Sequence, residues 1–236
     1  MDTGIAVRRT GPRIGSKALL YALALCAAHS AAARELDAGQ RLLSNFVNDV
    51  QTLSARFEQS LVGADGEVIE TSSGTVDIRR PGRFRWAYEL PYEQLLLADG
   101  LNIWSYDVDL AQVTVKPQAE VLSNTPALLL GGSGDVLEDF DYIGSYEDRG
   151  TVWVRLRPKE SRQGFRKIEM GFNNGSLTRM MFDDTLDQTT LVALTDISVN
   201  APQADDFFKF VLPEDVDLVG VPIVAETLNS LDTAEK

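Results

Sequence analysis

The sequence predicts a mainly β protein, an unclosed antiparallel β-barrel with a lid of short α-helices over an apolar interior. Three observations lead there. Apolar residues recur with a period of two: Val76 and Ile78 alternate with Asp77 and Arg79, then Phe84, Trp86 and Tyr88 with Arg83 and Arg85. Hairpin signals separate such runs at Ala64-Asp65-Gly66, Asp99-Gly100, Asp148-Arg149-Gly150 and Asn173-Asn174-Gly175. Past the leader, helical patterning is confined to two segments, so the strands must form one strongly curled sheet whose edges and mouth those helices cover.

The chain begins with Arg8, Arg9, Arg13 and Lys17, an apolar run from Ala18 to Ala28, and the small residues Ser30-Ala31-Ala32-Ala33. This is the pattern of a secretory signal peptide over residues 1–33, cleaved before about Arg34. The run is shorter than the roughly 20 residues of a membrane span. Leu25 precedes Cys26 where lipid attachment needs a small residue, and Thr10-Gly11-Pro12 does not supply the apolar residues of a twin-arginine signal, so general secretion is the expected route.

Residues 34–220 read as a single domain, leaving 221–236 as a tail with no assigned role. Leu36, Leu42, Leu43, Phe46, Val47 and Val50 are spaced by threes and fours behind a capping Asp37, which makes Leu36 to Val50 an amphipathic helix. From Leu53 the period changes to two. Strands are expected at about Ser54–Val62, Val68–Arg79, Arg83–Glu89, Gln94–Asp99, Asn102–Asp107, Gln112–Lys116, Phe140–Glu147, Thr151–Arg157, Arg166–Phe172, Ser176–Asp183, Leu191–Asn200 and Lys209–Leu212. Between them, Asn124 to Gly132 reads as a short apolar helix, with Thr125 as cap, Pro126 in the first turn and the glycines as its stop.

Composition excludes much. The 236-residue chain carries 22 basic and 35 acidic residues, and loss of the leader leaves 18 and 34, a formal net charge of −16. Such a surface repels phosphate backbones, so no nucleic acid is expected as a partner. Cys26 and His29, the single cysteine and histidine, leave with the leader. Without them there is no disulfide, thiol nucleophile, imidazole zinc site or serine-histidine-aspartate triad. Carboxylate groups at Asp107/Asp109, Asp139/Asp141, Asp183-Asp184/Asp187 and Asp205-Asp206 fall at turns, where solubility places them. We therefore expect no catalytic residues, no metal and no cofactor.

Phe84, Trp86, Leu95, Leu97 and Met170 are the candidates for an apolar floor, which either fills a solid core or lines a cavity for acyl chains; periodicity alone favours the solid core. Arg79, Arg83 and Arg85 read as a solvated strand face. Arg80 differs: it precedes Pro81 at a strand end, and its fixed fork of donors suits carbonyls at a helix terminus.

The runs SARFEQ (Ser54 to Gln59), RRPGRFRWAY, PYEQLLLADG, IWSYDVDLAQVTV, NTPALLL (Asn124 to Leu130) and FKFVLPEDVDLVG (Phe208 to Gly220), in this order, resemble the LolA family of periplasmic lipoprotein carriers. The resemblance spans about Leu42 to Gly220 and implies an unclosed barrel with a helical lid over a hydrophobic cavity. It places Phe84 and Trp86 in that cavity, makes Val47, Val50, Leu128, Leu129 and Leu130 the underside of the lid, and assigns Arg80 the latch that ties lid to barrel. It further implies a periplasmic monomer that takes lipid-modified proteins from a LolCDE-type inner-membrane transporter and gives them to a LolB-type outer-membrane receptor. The alternative is a lipid-sensing regulatory module with the same half-barrel, though such sensors carry a further domain.

Overall fold

The structure, a computed structural model, describes residues 1, 36–121, 130–131, 134–159 and 164–224. The expected signal peptide, most of the Asn124–Gly132 helix and the lid residues Leu128 and Leu129 lie outside the described residues.

The first helix, α1 (Ala38–Asp49), starts where its cap dictates: the Asp37 carboxylate accepts from Gln40 N and the Gln40 side chain accepts from Asp37 N, a reciprocal capping box. Gly39, Leu43, Phe46 and Val47 form its buried stripe. The Tyr142 hydroxyl donates to the Asp37 carboxylate at 2.7 Å, tying the start of α1 to the seventh strand. Gly39 permits that approach, because a Cβ there would lie 2.5 Å from Ser145 Cβ.

Among the described residues twelve strands follow: β1 (Thr52–Val62), β2 (Val68–Arg79), β3 (Arg83–Leu90), β4 (Gln94–Asp99), β5 (Asn102–Asp107), β6 (Gln112–Pro117), β7 (Phe140–Asp148), β8 (Thr151–Pro158), β9 (Phe165–Asn173), β10 (Ser176–Asp184), β11 (Thr189–Val199) and β12 (Asp217–Val219). A one-turn helix, α2 (Gln118–Val121), leaves β6, and 3-10 turns lie at Gly134–Asp139 and Asp205–Phe208. All strands join one sheet in the order β12-β6-β5-β4-β3-β2-β1-β11-β10-β9-β8-β7, and its two edges do not pair, so the barrel is unclosed. The neighbours pair antiparallel except β12, which runs parallel to β6. Two hairpins have two-residue loops with left-handed backbone at both positions, Arg149-Gly150 and Asn174-Gly175, the chemistry their sequences announce.

One strand expectation is corrected. Lys209–Leu212 is not a strand; the last strand is Asp217–Val219. All three of its residues are exposed, so it carries no alternation, and it is held by backbone pairing to β6 with Asp217 N donating to Ala111 O. Phe210 is instead pinned face to face on Trp104, with ring centroids 4.7 Å apart.

The sheet is curled around its larger core. Leu53, Ala55 and Phe57 of β1, Val76 and Ile78 of β2, Phe84 and Trp86 of β3, Ala98 of β4 and Ile103 of β5 share one cluster with Val154, Leu156, Ile168, Met170, Phe172, Met180, Phe182, Val192 and Leu194 from β8 to β11. Strands so far apart in the sheet meet only if it wraps, and α1 inserts Leu43, Phe46 and Val47 into the concavity. β6 and β7 lie near opposite edges of the sheet. Leu130 and Gly131, helical residues of the β6–β7 connection, are buried against the sheet.

A smaller core covers part of the convex face: Leu97, Trp104, Val113 and Val115, with Leu95, Tyr106, Phe210 and Val216 packed against it. The segment after β11 straps this face. Arg79 pairs with Asp205 at 2.9 Å and lies 5.0 Å from the Phe208 ring centre, while Arg85 lies 5.4 Å from that of Phe207. Asn102 exchanges two hydrogen bonds with the backbone of Ile223. Arg79 and Arg85 are thus not a free solvated face but the seat of a strap more than 100 residues away in sequence. Such partners leave no local signature.

Candidate functional site: the concave face and its latch

Alternation places Phe84, Trp86 and Tyr88 of β3 on the concave face, where Phe57 meets the Trp86 ring at 5.0 Å and the Tyr88 ring at 5.2 Å. Phe84 is 2% exposed, Met170 fully buried and Trp86 9% exposed. These three expected floor residues come together. Leu95 and Leu97 do not: both belong to the convex cluster. The register explains why, since Phe84 pairs with Ala98 and Trp86 with Leu96, which puts those two β4 residues on the concave side. The run Leu95-Leu96-Leu97 has no alternation, so its sequence leaves the facing ambiguous, and a one-residue slip inverts it.

Above this face sit Phe46 and Val47, with Val50 partly buried beside them, and Leu130 at 2% exposure. Arg80, just past the end of β2, joins these covers to the sheet. Its backbone N–H donates to Gln51 O at 2.8 Å, fixing where the side chain starts. Its Nη1 donates to the Leu130 carbonyl at 2.5 Å, and its guanidinium lies 4.9 Å from the Phe46 ring centre. One buried cation thereby touches both α1 and the β6–β7 connection. Burial lowers its pKa to about 10.

A second donor stands beside it. Gly82 N–H donates to Gly131 O at 2.8 Å. Gln118, buried at the start of α2, holds that turn: its Nε2 donates to Gly82 O at 2.7 Å and its Oε1 accepts from Gly100 N at 3.1 Å. Gly82 has φ +74°, and a Cβ there would meet Gln118 Nε2 at 3.0 Å. Gln118 escaped the sequence reading because a lone glutamine after a strand has no pattern; its buried contacts reveal it.

At the other end of β3 the concave face becomes polar. Gln59, Ser72, Tyr88 and Gln94, with Leu90 and Tyr92 at the rim, line a hollow of about 190 Å³. Burial, aided by the Glu70 charge, raises the Tyr88 phenol above its ordinary pKa. A second hollow of about 270 Å³, mostly apolar, opens between α1 and the β7 side, lined by Leu43, Leu137, Phe140 and Leu156 among others. The site can therefore offer apolar surface bounded by a polar end and by a buried cation bonded to the Leu130 carbonyl. Among the described residues, no helix is long and apolar enough to cross a membrane, and no group of three or more His, Cys, Asp or Glu could hold a metal.

Residues 48–211 match the family model described as outer membrane lipoprotein carrier protein LolA. A relative named outer-membrane lipoprotein carrier protein from Nitrosomonas europaea is 39% identical over 178 residues, 75% of this chain and 86% of its own length. One of the same name from Bordetella pertussis is 35% identical over 205 residues, 87% of this chain and 95% of its own length. Among solved structures, a LolA superfamily protein from Nitrosomonas europaea superposes with a TM-score of 0.47 at 10% identity, covering 72% of this chain and 95% of that one. With a match over most of its length and relatives this close, the chain belongs to the LolA family of outer membrane lipoprotein carrier proteins.

Proposed function

We propose that this protein is a periplasmic carrier that shelters the acyl chains of lipid-modified proteins and delivers them to the outer membrane. It works by binding, without catalysis or cofactor, taking its cargo from a LolCDE-type transporter and passing it to a LolB-type receptor. The observation that carries the reading is the one-sided apolar trough, closed by elements that a single buried arginine ties down, in a chain whose relatives are named as lipoprotein carriers.

Energetics say why the latch matters. Acyl burial gains about 0.8 kcal/mol per methylene. Three chains of about 15 carbons would then yield on the order of 30 kcal/mol, beyond the roughly 20 kcal/mol ceiling of non-covalent complexes. A carrier capturing all of that would never release. Here the empty trough is filled by its own side chains, since Phe84, Met170, Phe172 and Leu194 are all at most 5% exposed. Entry of a chain must separate α1 and the 130–131 turn from the sheet, and that cost, recovered on transfer, drives release without a nucleotide.

The test is to purify the mature protein from periplasm and identify bound acyl species by mass spectrometry. Lipid-modified proteins on the parent, absent from Phe84→Glu, are expected. Free phospholipid alone, or no acyl ligand on either protein, would remove the carrier reading.

A further inference from the structure

Below its polar end the concave face is apolar, and among the described residues one polar atom there is explained by neither packing nor the Arg80 contact. Trp86 Nε1 is buried and finds no hydrogen-bond acceptor among the described residues, although the indole is 9% exposed and sits in the middle of the trough. Buried polar groups are paired in the great majority of cases, and an orphaned donor disfavours the closed form by on the order of tenfold. The other two indoles behave differently: Trp104 Nε1 donates to Asp99 at 2.7 Å, and Trp153 is only partly buried.

Position supplies the second observation. Trp86 lies two residues before Tyr88, about 7 Å along an extended strand, so it stands where the apolar interior begins below the polar hollow of Gln59, Ser72, Tyr88 and Gln94. A diacyl ligand has the same order of chemistry: a polar head, then an ester or amide carbonyl within a few bonds, then hydrocarbon. A head in the hollow brings the first carbonyl to the depth of the indole.

We propose that Trp86 Nε1–H is the donor for one acyl carbonyl oxygen of the bound lipid-modified protein, a polar contact that sets how deep that chain sits. This rests on the carrier reading and deepens it. The donor has no partner among the described residues in the empty trough and is satisfied in the filled one, so it favours loading and gives the site a preference for acyl over alkyl chains.

The test compares a fluorescent lipopeptide bearing two ester-linked palmitoyl chains with its ether-linked counterpart, which has no chain carbonyls. The parent should bind the ester about tenfold more tightly. Trp86→Phe, which keeps an aromatic ring but not the donor, should bind both alike. The Trp86 indole proton should move downfield in the NMR spectrum with the ester and not with the ether. Equal binding of the two by the parent, or a preference that survives in Trp86→Phe, overturns the proposal. A matched diester and diether phosphatidylglycerol form a second arm; discrimination there alone would give the donor to phospholipid and overturn the assigned ligand. Failure of the parent to bind either lipopeptide would instead strike the carrier reading itself. Should Trp86→Phe misfold, the parent's ester preference and indole shift still decide.

Discussion

Replacing Arg80 with leucine should leave the protein nearly as stable while impairing release. Holding a guanidinium where burial lowers its pKa to about 10 corresponds to roughly 3 kcal/mol of desolvation. Against this stand a charge-assisted bond to the Leu130 carbonyl, about 1.5 to 3 kcal/mol, and a desolvated contact with the Phe46 ring, about 2 kcal/mol. These terms leave the closed contact favoured by about 0.5 to 2 kcal/mol. Leucine forfeits that margin and orphans a carbonyl, but regains about 1.5 to 3 kcal/mol of apolar burial. Urea denaturation should show a change under about 2 kcal/mol. Stopped-flow transfer of a fluorescent lipopeptide to excess vesicles should slow roughly tenfold, because emptying the trough no longer regains the latch. A stability loss above about 4 kcal/mol would make Arg80 a structural keystone rather than a latch, and unchanged transfer would refute the argument directly.

Other expectations follow from the same geometry. Phe84→Glu puts an unpaired carboxylate at a 2% exposed position and should cost about 4 kcal/mol or more in urea denaturation while abolishing lipopeptide binding. Gly74→Ala should lower the melting temperature sharply, by more than about 3 kcal/mol of stability, since its Cβ would lie 1.9 Å from the Ala87 carbonyl oxygen across the β2–β3 pair. Phe210→Ala removes the ring stacked on Trp104; it should cost about 2 kcal/mol and expose the strap after β11 to protease, while lipopeptide affinity stays at the parent level. Asp37→Ala should fray α1, read as lost helical circular dichroism. In the parent, the Gln40 N–H and the Tyr142 hydroxyl hold the Asp37 carboxyl below its ordinary 3.8. Its contribution is thus present above that value and lost as pH falls through the lowered one; a parent cap indifferent to acid would contradict this.

Much of the architecture was legible because strand-forming residues repeat with a period that a folded sheet must obey. The boundaries of β2, β4 and β5 follow directly from Val68–Arg79, Gln94–Asp99 and Asn102–Asp107, as does the cap of α1 from Asp37. Arg80 stood out through its place before a proline, and the structure puts it against Leu130 and Phe46. Where the pattern was silent, so was the reading: three consecutive leucines concealed which of them face inward, and β12, exposed along its length, gave no alternation at all.

Local spacing thus determined that this chain would be a curled, one-sidedly apolar sheet with helical covers, because each strand's period is set by backbone geometry within a few residues. Tertiary structure alone decided which face Leu96 and Ala98 occupy, that Arg79 and Arg85 seat the strap of Phe207 and Phe208, that Gln118 holds the Gly82 turn, and that the Trp86 indole finds no acceptor among the described residues. Register, burial and the pairing of residues far apart in sequence arise from closing long loops around one core, and no local pattern encodes the outcome.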